Sequence, residues 1–330
     1  MIMESIPVFI HHESDEKPSK GLGKKQSYLK YVIAQAESLN SRVILFGDEF
    51  NSTWAKEWYP AKDYLSEKWY KFETVFVNMS DYPDEWAKGI FRRFFIFEEY
   101  CKRNDIKDFV VLDSDVLIYI DLSTYPFREK CKVALEWESN VSFKRNPTTM
   151  SSVVSSIGYF TITTVGEFTE FCIKVYEKKE DYYYKLIVDT WENHFKKDGY
   201  AGGICEMTLL YLWLCERGCR AYNILAETEK YRFCLDFSGM SSYLREEFVT
   251  NKATNTKRLK FIGDRPYHKD AVTMEWVKVD NIHFVGDSKR LLPDVQNHKR
   301  ISIYNMSYYV LFRFWRGKVK PLLRSWHLYK

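Results

Sequence analysis

The stretch Phe109-Val110-Val111-Leu112-Asp113-Ser114-Asp115-Val116-Leu117-Ile118 joins an apolar run to two carboxylates spaced i and i+2. In an open α/β sheet the ligand crevice lies outside the carboxyl ends of the strands. Two carboxylates placed where a strand yields to a loop can turn toward one divalent cation that bridges two phosphates, and oxygen ligands suit Mg2+ or Mn2+. Asp-x-Asp occurs once in the sequence, yet so short a pattern also arises by chance. The plain alternative is a pair of turn formers or helix caps. A second constellation, Ile282-His283-Phe284-Val285-Gly286-Asp287-Ser288-Lys289, adds the other chemistry a phosphate-bound metal needs. His283, ending a short strand, can supply a nitrogen ligand; Gly286 permits close backbone approach; Lys289 offers a point charge to a phosphate. Alone, His283 also reads as a structural histidine.

The elements that must position these residues follow from apolar periodicity. Strands are predicted at Ile6 to His11, Arg42 to Phe46, Phe72 to Val77 and Asp108 to Leu112, with helices at Lys24 to Leu39 and Asp84 to Arg103. In the last helix Trp86, Ile90, Phe94, Phe97 and Cys101 form an apolar stripe at steps of three and four. This alternation argues βαβ units and a mainly parallel sheet buried on both faces. In the second half, Ile157 to Thr164 reads as a strand, Glu167 to Glu177 as a helix, and Met207, Leu210, Tyr211 and Leu214 mark another helix behind Gly202 and Gly203. Residues 236 to 280 read as polar and irregular, and Ile282 to Val285 as a last strand. One α/β domain over residues 1–294 is expected, its character changing at about residue 120, followed by an appendage at 295–330.

Together, an N-terminal nucleotide-binding βαβ half, a DxD at the end of an apolar strand and a late HFxGxxK resemble the GT-A nucleotide-sugar glycosyltransferases. The resemblance is to the group that includes glycogenin and the bacterial lipooligosaccharide galactosyltransferases. It spans roughly residues 6 to 293 in order of elements. That group ends its late motif in KPW, whereas Arg290 and Leu291 follow Lys289 here, so retention or inversion stays open. The resemblance implies a Rossmann-like, mainly parallel sheet flanked by helices, with Asp113, Asp115 and His283 as ligands of Mn2+ or Mg2+. It makes Gly286 and Lys289 the holders of the diphosphate and puts Ser114 among the nucleotide-binding residues. His11 or His12 would lie near the uracil or ribose, or at a solvated strand end. Arg92 and Arg93, on the helix before the DxD strand, would contact nucleotide or sugar, the alternative being a solvated helix face. Glu206, opening the helix behind Gly202-Gly203, would be the general base of an inverting reaction or orient the sugar in a retaining one; otherwise it complements the helix dipole. Ser156, Gly158 and Tyr159 would line the acceptor side.

Charge separates the tail from the body. Net charge is +4, but no acidic residue follows Asp294, and Lys299, Arg300, Arg313, Arg316, Lys318, Lys320, Arg324 and Lys330 leave the first 294 residues at net −4. Tyr304, Tyr308, Tyr309, Phe312, Phe314, Trp315, Trp326 and Tyr329 lie among these basic residues. A basic, aromatic helical tail suits an anionic membrane surface through residues 304–330; packing on the body and nucleic-acid binding are the other readings. Seven scattered cysteines without a CxxC pair point to a reducing compartment, and no apolar stretch reaches 18 residues. A cytoplasmic protein without a signal peptide, peripheral at the membrane, is expected.

The expected activity is metal-dependent transfer of a sugar from a nucleotide-sugar donor, a UDP-sugar, to a glycan or lipid-linked glycan. A nucleotidyltransferase, imitated by the glycine-rich segment Gly21 to Lys25, is the rival within the fold. A non-catalytic carbohydrate- or nucleic-acid-binding protein is the rival outside it. The dinucleotide fingerprint fails because Gln26 stands where the third glycine belongs, and neither a P-loop nor a nucleophile elbow occurs. Cys215 and Cys219, one helical turn apart without a histidine partner, read as core.

Overall fold

The computed structural model describes residues 5–13, 28–137, 153–199, 202–218, 220–225, 232–234, 237, 247–251, 254–298, 300–301 and 303–315. In chain order the elements are β1 (Val8–His12), α1 (Leu29–Leu39), β2 (Val43–Gly47), β3 (Glu57–Pro60), α2 (Glu67–Val75), α3 (Asp84–Arg103), β4 (Asp108–Leu112) and β5 (Val116–Ile118). Then follow α4 (Phe127–Lys130), β6 (Val133–Trp137), β7 (Val153–Thr161), α5 (Ile162–Glu177), α6 (Tyr182–Thr190), α7 (Glu206–Glu216) and β8 (Tyr222–Asn223). The last are β9 (Thr250–Asn251), β10 (Thr256–Lys257), β11 (Leu259–Ile262), β12 (Arg265–Lys269), β13 (Trp276–Lys278), β14 (Asn281–His283), α8 (Leu292–His298) and α9 (Ile303–Phe314).

The chain divides into two compact units. The first comprises Met1–Ser14, Asn40–Asp113 and Asp121–Ala226, the second Asp15–Leu39, Ser114–Ile120 and Glu227–Lys330. The first unit holds a seven-stranded sheet in the order β3-β2-β1-β4-β7-β6-β8. Its β3-β2-β1-β4 half is parallel; β7 runs antiparallel to both β4 and β6, and β8 is parallel to β6. The architecture is thus α/β with a mainly parallel central sheet flanked by helices, as the alternation predicts. Every residue of β2 and β4 is buried, the signature of strands covered on both faces. One face, bearing Phe9, Ile44, Phe46, Phe109 and Val111, packs in a single apolar cluster with Trp69 and Phe72 of α2, Phe94 and Phe97 of α3 and Phe168 of α5.

In the second unit β14 pairs antiparallel with β5, α1 packs on β5, and β11, β12 and β13 form an antiparallel sheet beside the short β9-β10 ladder. Five strands therefore occupy the region read as irregular, because two- to five-residue strands of mixed polarity carry almost no periodic signal. No helix among the described residues is long and apolar enough to cross a membrane.

Three other expectations change. Phe72 to Val77 is not a strand: α2 runs through Val75, starting behind Ser66, whose hydroxyl accepts from the Trp69 amide at 3.4 Å, and it buries Trp69 and Phe72. A short apolar run cannot by itself separate a buried strand from a helix face. The true third strand is the half-buried β3. The strand expected to reach Thr164 stops at Thr161, whose hydroxyl and that of Thr164 cap α5 reciprocally. Finally, Phe94, Phe97 and Cys101 of the α3 stripe are buried as expected, whereas Trp86 is exposed. The segments Gly21 to Lys25, Lys24 to Ser27 and 316–330, and Cys219, lie outside the described residues.

Candidate functional site

In the first unit, β4 delivers Asp113 at its carboxyl end, where the Asp113 amide donates to the Ser156 carbonyl of β7 at 2.8 Å. Arg93, from the middle of α3, spreads its guanidinium over three partners. It donates to Asp113, to the Ser155 hydroxyl at 2.8 Å and to Glu206 at 3.2 Å. Glu206 is the first residue of α7 and is buried. Burial raises its pKa, Asp113 adds to the rise and Arg93 opposes it. A planar guanidinium can serve two carboxylates and a hydroxyl at fixed angles, which an ammonium cannot. Behind Ser155, wholly buried Glu136 of β6 accepts from the Ser156 hydroxyl and from the Ile157 amide at 3.0 Å. The pairing of β6 with β7 shifts register between Ala134 and Glu136. Such irregularities re-aim side chains near sites.

In the second unit, β14 lies beside β5 with His283 opposite Val116, so the residue preceding β5 meets the end of β14. The Phe284 amide donates to the Asp115 carbonyl at 2.9 Å. His283 Nε2 stands 3.3 Å from one oxygen of Asp115, and Lys289 Nζ lies 2.8 Å from the other. Asp115 and His283 are both buried. Burial would raise the Asp115 pKa, but His283 and Lys289 outweigh it and hold the carboxyl well below the usual range. Gly286, at φ +59°, turns the chain from β14 into the short helical segment Gly286–Leu291 that carries Lys289. Ser114 and Lys289 both hydrogen-bond the buried Tyr28 hydroxyl.

One ligand atom each from Asp113, Asp115 and His283 lies within 4.8 Å of the others. Two carboxylate oxygens and one imidazole nitrogen, two of the three side chains buried, form a donor set that fits a divalent cation such as Mg2+ or Mn2+. Arg93 and Lys289 bring two positive charges to the same two carboxylates.

The other expected residues sit differently. His11 Nε2 lies 3.2 Å from Glu13, and Arg92 bonds Glu13 at 3.1 Å and Glu85 at 3.4 Å while stacking over Trp69. Although burial pushes the Glu13 carboxyl up, His11 and Arg92 more than offset it, bringing its pKa down to about 2. His12 accepts through its carbonyl from Asn51. Tyr159 hydrogen-bonds Asp108 at 2.9 Å and Gly158 lies within β7. Ser155 and Glu136 were not legible as site residues; the one signal for Glu136 is a lone carboxylate in the apolar run Val133-Ala134-Leu135-Glu136-Trp137.

No family model and no curated protein matches the chain. Its structure is similar to that of mouse xyloside xylosyltransferase 1 in its apo form, at 8% identity and TM-score 0.42, covering 66% of this chain and 84% of that one. It is also similar to a glycosyltransferase involved in glycosylation of the major capsid of PBCV-1, at 13% identity and TM-score 0.33, covering 66% and 81%. A third likeness is to the apo WbbM bifunctional glycosyltransferase, at 9% identity and TM-score 0.44, covering 97% of this chain and 52% of that one. With every score below 0.5, the chemistry of this chain is read from its own residues.

Proposed function

We propose that the chain is a metal-dependent glycosyltransferase of the GT-A type that moves a sugar from a UDP-sugar to a glycan or lipid-linked glycan. The observation that carries this is the Asp113, Asp115 and His283 group with Lys289 bonded to Asp115. In this reading those three residues hold Mn2+ or Mg2+, which when bound supplies Lewis-acid neutralisation of the diphosphate leaving group. Lys289, on the Gly286–Leu291 turn, adds a fixed positive charge beside the departing phosphates. The Tyr28 hydroxyl, itself bonded to Ser114, helps keep the Lys289 ammonium in place. Arg93 ties Asp113 to Glu206, so the donor side and the acceptor side share one guanidinium. Glu206, its pKa raised by burial, is the carboxylate to receive the acceptor proton in an inverting reaction, or to orient the sugar in a retaining one.

Calorimetry tests this directly. UDP should bind only with Mn2+ or Mg2+ present, and Asp115→Ala should abolish that binding together with slow UDP release from a UDP-sugar. Absence of metal-dependent binding for UDP, GDP and CMP sugars alike would sink the reading.

The basic tail is proposed to dock a cytoplasmic protein peripherally on an anionic membrane. In α9 Tyr309 is buried while Leu311 and Phe314 are exposed, so the helix has both a packed side and apolar side chains in solvent. Binding to phosphatidylserine liposomes should weaken with salt and vanish on truncation after residue 300.

A further inference from the structure

Trp86 belongs by sequence to the buried stripe of α3, yet 47% of it is exposed, and its ring lies 4.0 Å from that of Tyr82, itself 42% exposed. The pair is held by its surroundings. The Tyr82 amide donates to the Ser80 hydroxyl at 3.3 Å, and Asn78 donates to the Tyr82 carbonyl at 2.9 Å. The loop carrying Tyr82 is bonded to the entry of α7: the Asp81 amide to the Gly202 carbonyl at 2.9 Å, and the Ile204 amide to the Met79 carbonyl at 2.8 Å. Gly203 makes this approach possible. Its φ is +154°, and a Cβ there would stand 2.4 Å from the Met79 carbonyl oxygen. Two glycines thus clamp the aromatic loop against the segment that begins α7 with Glu206.

Trp86 also shares a face of α3 with Arg93. Trp86 and Arg93 are seven residues apart on α3, two turns on one face and about 10 Å of rise. The Tyr82 phenol is close enough to Glu206 to feel its charge; burial first, then Cys205, Asp81 and Glu206, push its pKa up.

From this placement we infer that Tyr82 and Trp86 form a sugar-binding platform on which a pyranose of the acceptor glycan stacks, directing the chain of sugars toward Glu206. The C–H face of a pyranose is apolar with slightly positive hydrogens, and it complements the negative face of an aromatic ring. Asn78 and Ser80, bonded to the Tyr82 backbone, and Asp81, Asp84, Glu85 and Lys88, neighbours of the rings in sequence, offer donors and acceptors for hydroxyls. Asp84 and Glu85 are exposed and ion-paired with Lys88, so the rim presents balanced charge and not the basic surface that a phosphate backbone or an anionic membrane needs. That the bound sugar is the acceptor rests on the function proposed above; that the rings hold a sugar does not.

The test is saturation-transfer NMR on the full chain with methyl β-galactoside, methyl β-glucoside, methyl α-mannoside and lactose. At least one should receive saturation on its ring C–H protons, and Trp86→Ala should weaken that binding about tenfold, with Trp86→Phe largely retaining it. Tyr82→Ala carries the same test should Trp86→Ala unfold. No saturation with the wild type, or equal binding by the alanine variants, overturns the platform. So does a self-association, seen by sedimentation, that Trp86→Ala abolishes, because a second copy would then cover the rings. Metal-dependent UDP binding, measured separately, reports on the proposed function, so either reading can fail while the other stands.

Discussion

Asp113 and Asp115 are two residues apart and live in different electrostatic worlds. Asp113, with 24% of its side chain exposed, meets the guanidinium of Arg93, which also holds Ser155 and Glu206. The Asp115 side chain, at 10%, lies between an imidazole and an ammonium. Despite burial, these two partners hold its pKa well below the usual range and engage both its oxygens. The half-buried Asp113 is bonded to a guanidinium that also serves Ser155 and Glu206. A DxD motif is therefore an asymmetric object even though its two letters are identical.

The largest effect that could break this comparison is on metal affinity. On the proposed function, Asp115→Asn is expected to lower the affinity for Mn2+ in the presence of UDP by at least about 100-fold and Asp113→Asn by about tenfold, as read by calorimetry. Equal losses would show the two carboxylates to be interchangeable. Next in size, Arg93→Met should destabilise by about 2 kcal/mol in urea melts, because Glu206 is left buried without its cation. Arg93→Lys should recover only part of this, since an ammonium does not reproduce the fork.

The smallest effect separates the two units by pH. In the second unit His268 is wholly buried, and burial, followed by Lys257 and Arg232, pushes its pKa down to about 3 from the ordinary 6.5, against the pull of the Arg258 carbonyl. The unfolded chain takes up this proton first, so the His268 contribution to stability is present above about pH 6.5 and falls as pH drops toward 3. For Glu206 in the first unit the sign reverses. Its raised folded pKa means the folded chain takes the proton first, and stability gains as pH falls through the folded value. Urea midpoints across this range should decline less steeply in His268→Gln, an amide able to donate to the Arg258 carbonyl, and gain less on acidification in Glu206→Gln. Unchanged slopes would contradict the assigned burial of these groups.

Much of this was legible in the sequence wherever the signal is local. The 20-residue α3, the apolar β2 and β4, and β1 to within two residues follow from periodicity, which burial imposes residue by residue along each element. Asp113, Asp115, His283 and Lys289 were legible as candidates because few residue types can bind a metal or a phosphate. The third strand was misplaced because Phe72 and Phe76 look alike in a strand and on a helix face, and the cap at Ser66 decides between them.

What the chain order could not contain is who meets whom. The sequence by itself determined a DxD at the end of a buried strand and a late His-Phe-x-Gly-x-x-Lys, about 170 residues apart. Only the tertiary structure decided that β14 pairs with β5 so that His283 and Lys289 grip Asp115, that Arg93 binds Asp113 and Glu206 together, and that Trp86 leaves its stripe to lie tilted against Tyr82. The reason is physical. Helical and strand periodicities report how each residue alternates between core and solvent, whereas strand pairing, ion pairs and exposed ring stacks depend on long-range closure, which no local pattern encodes.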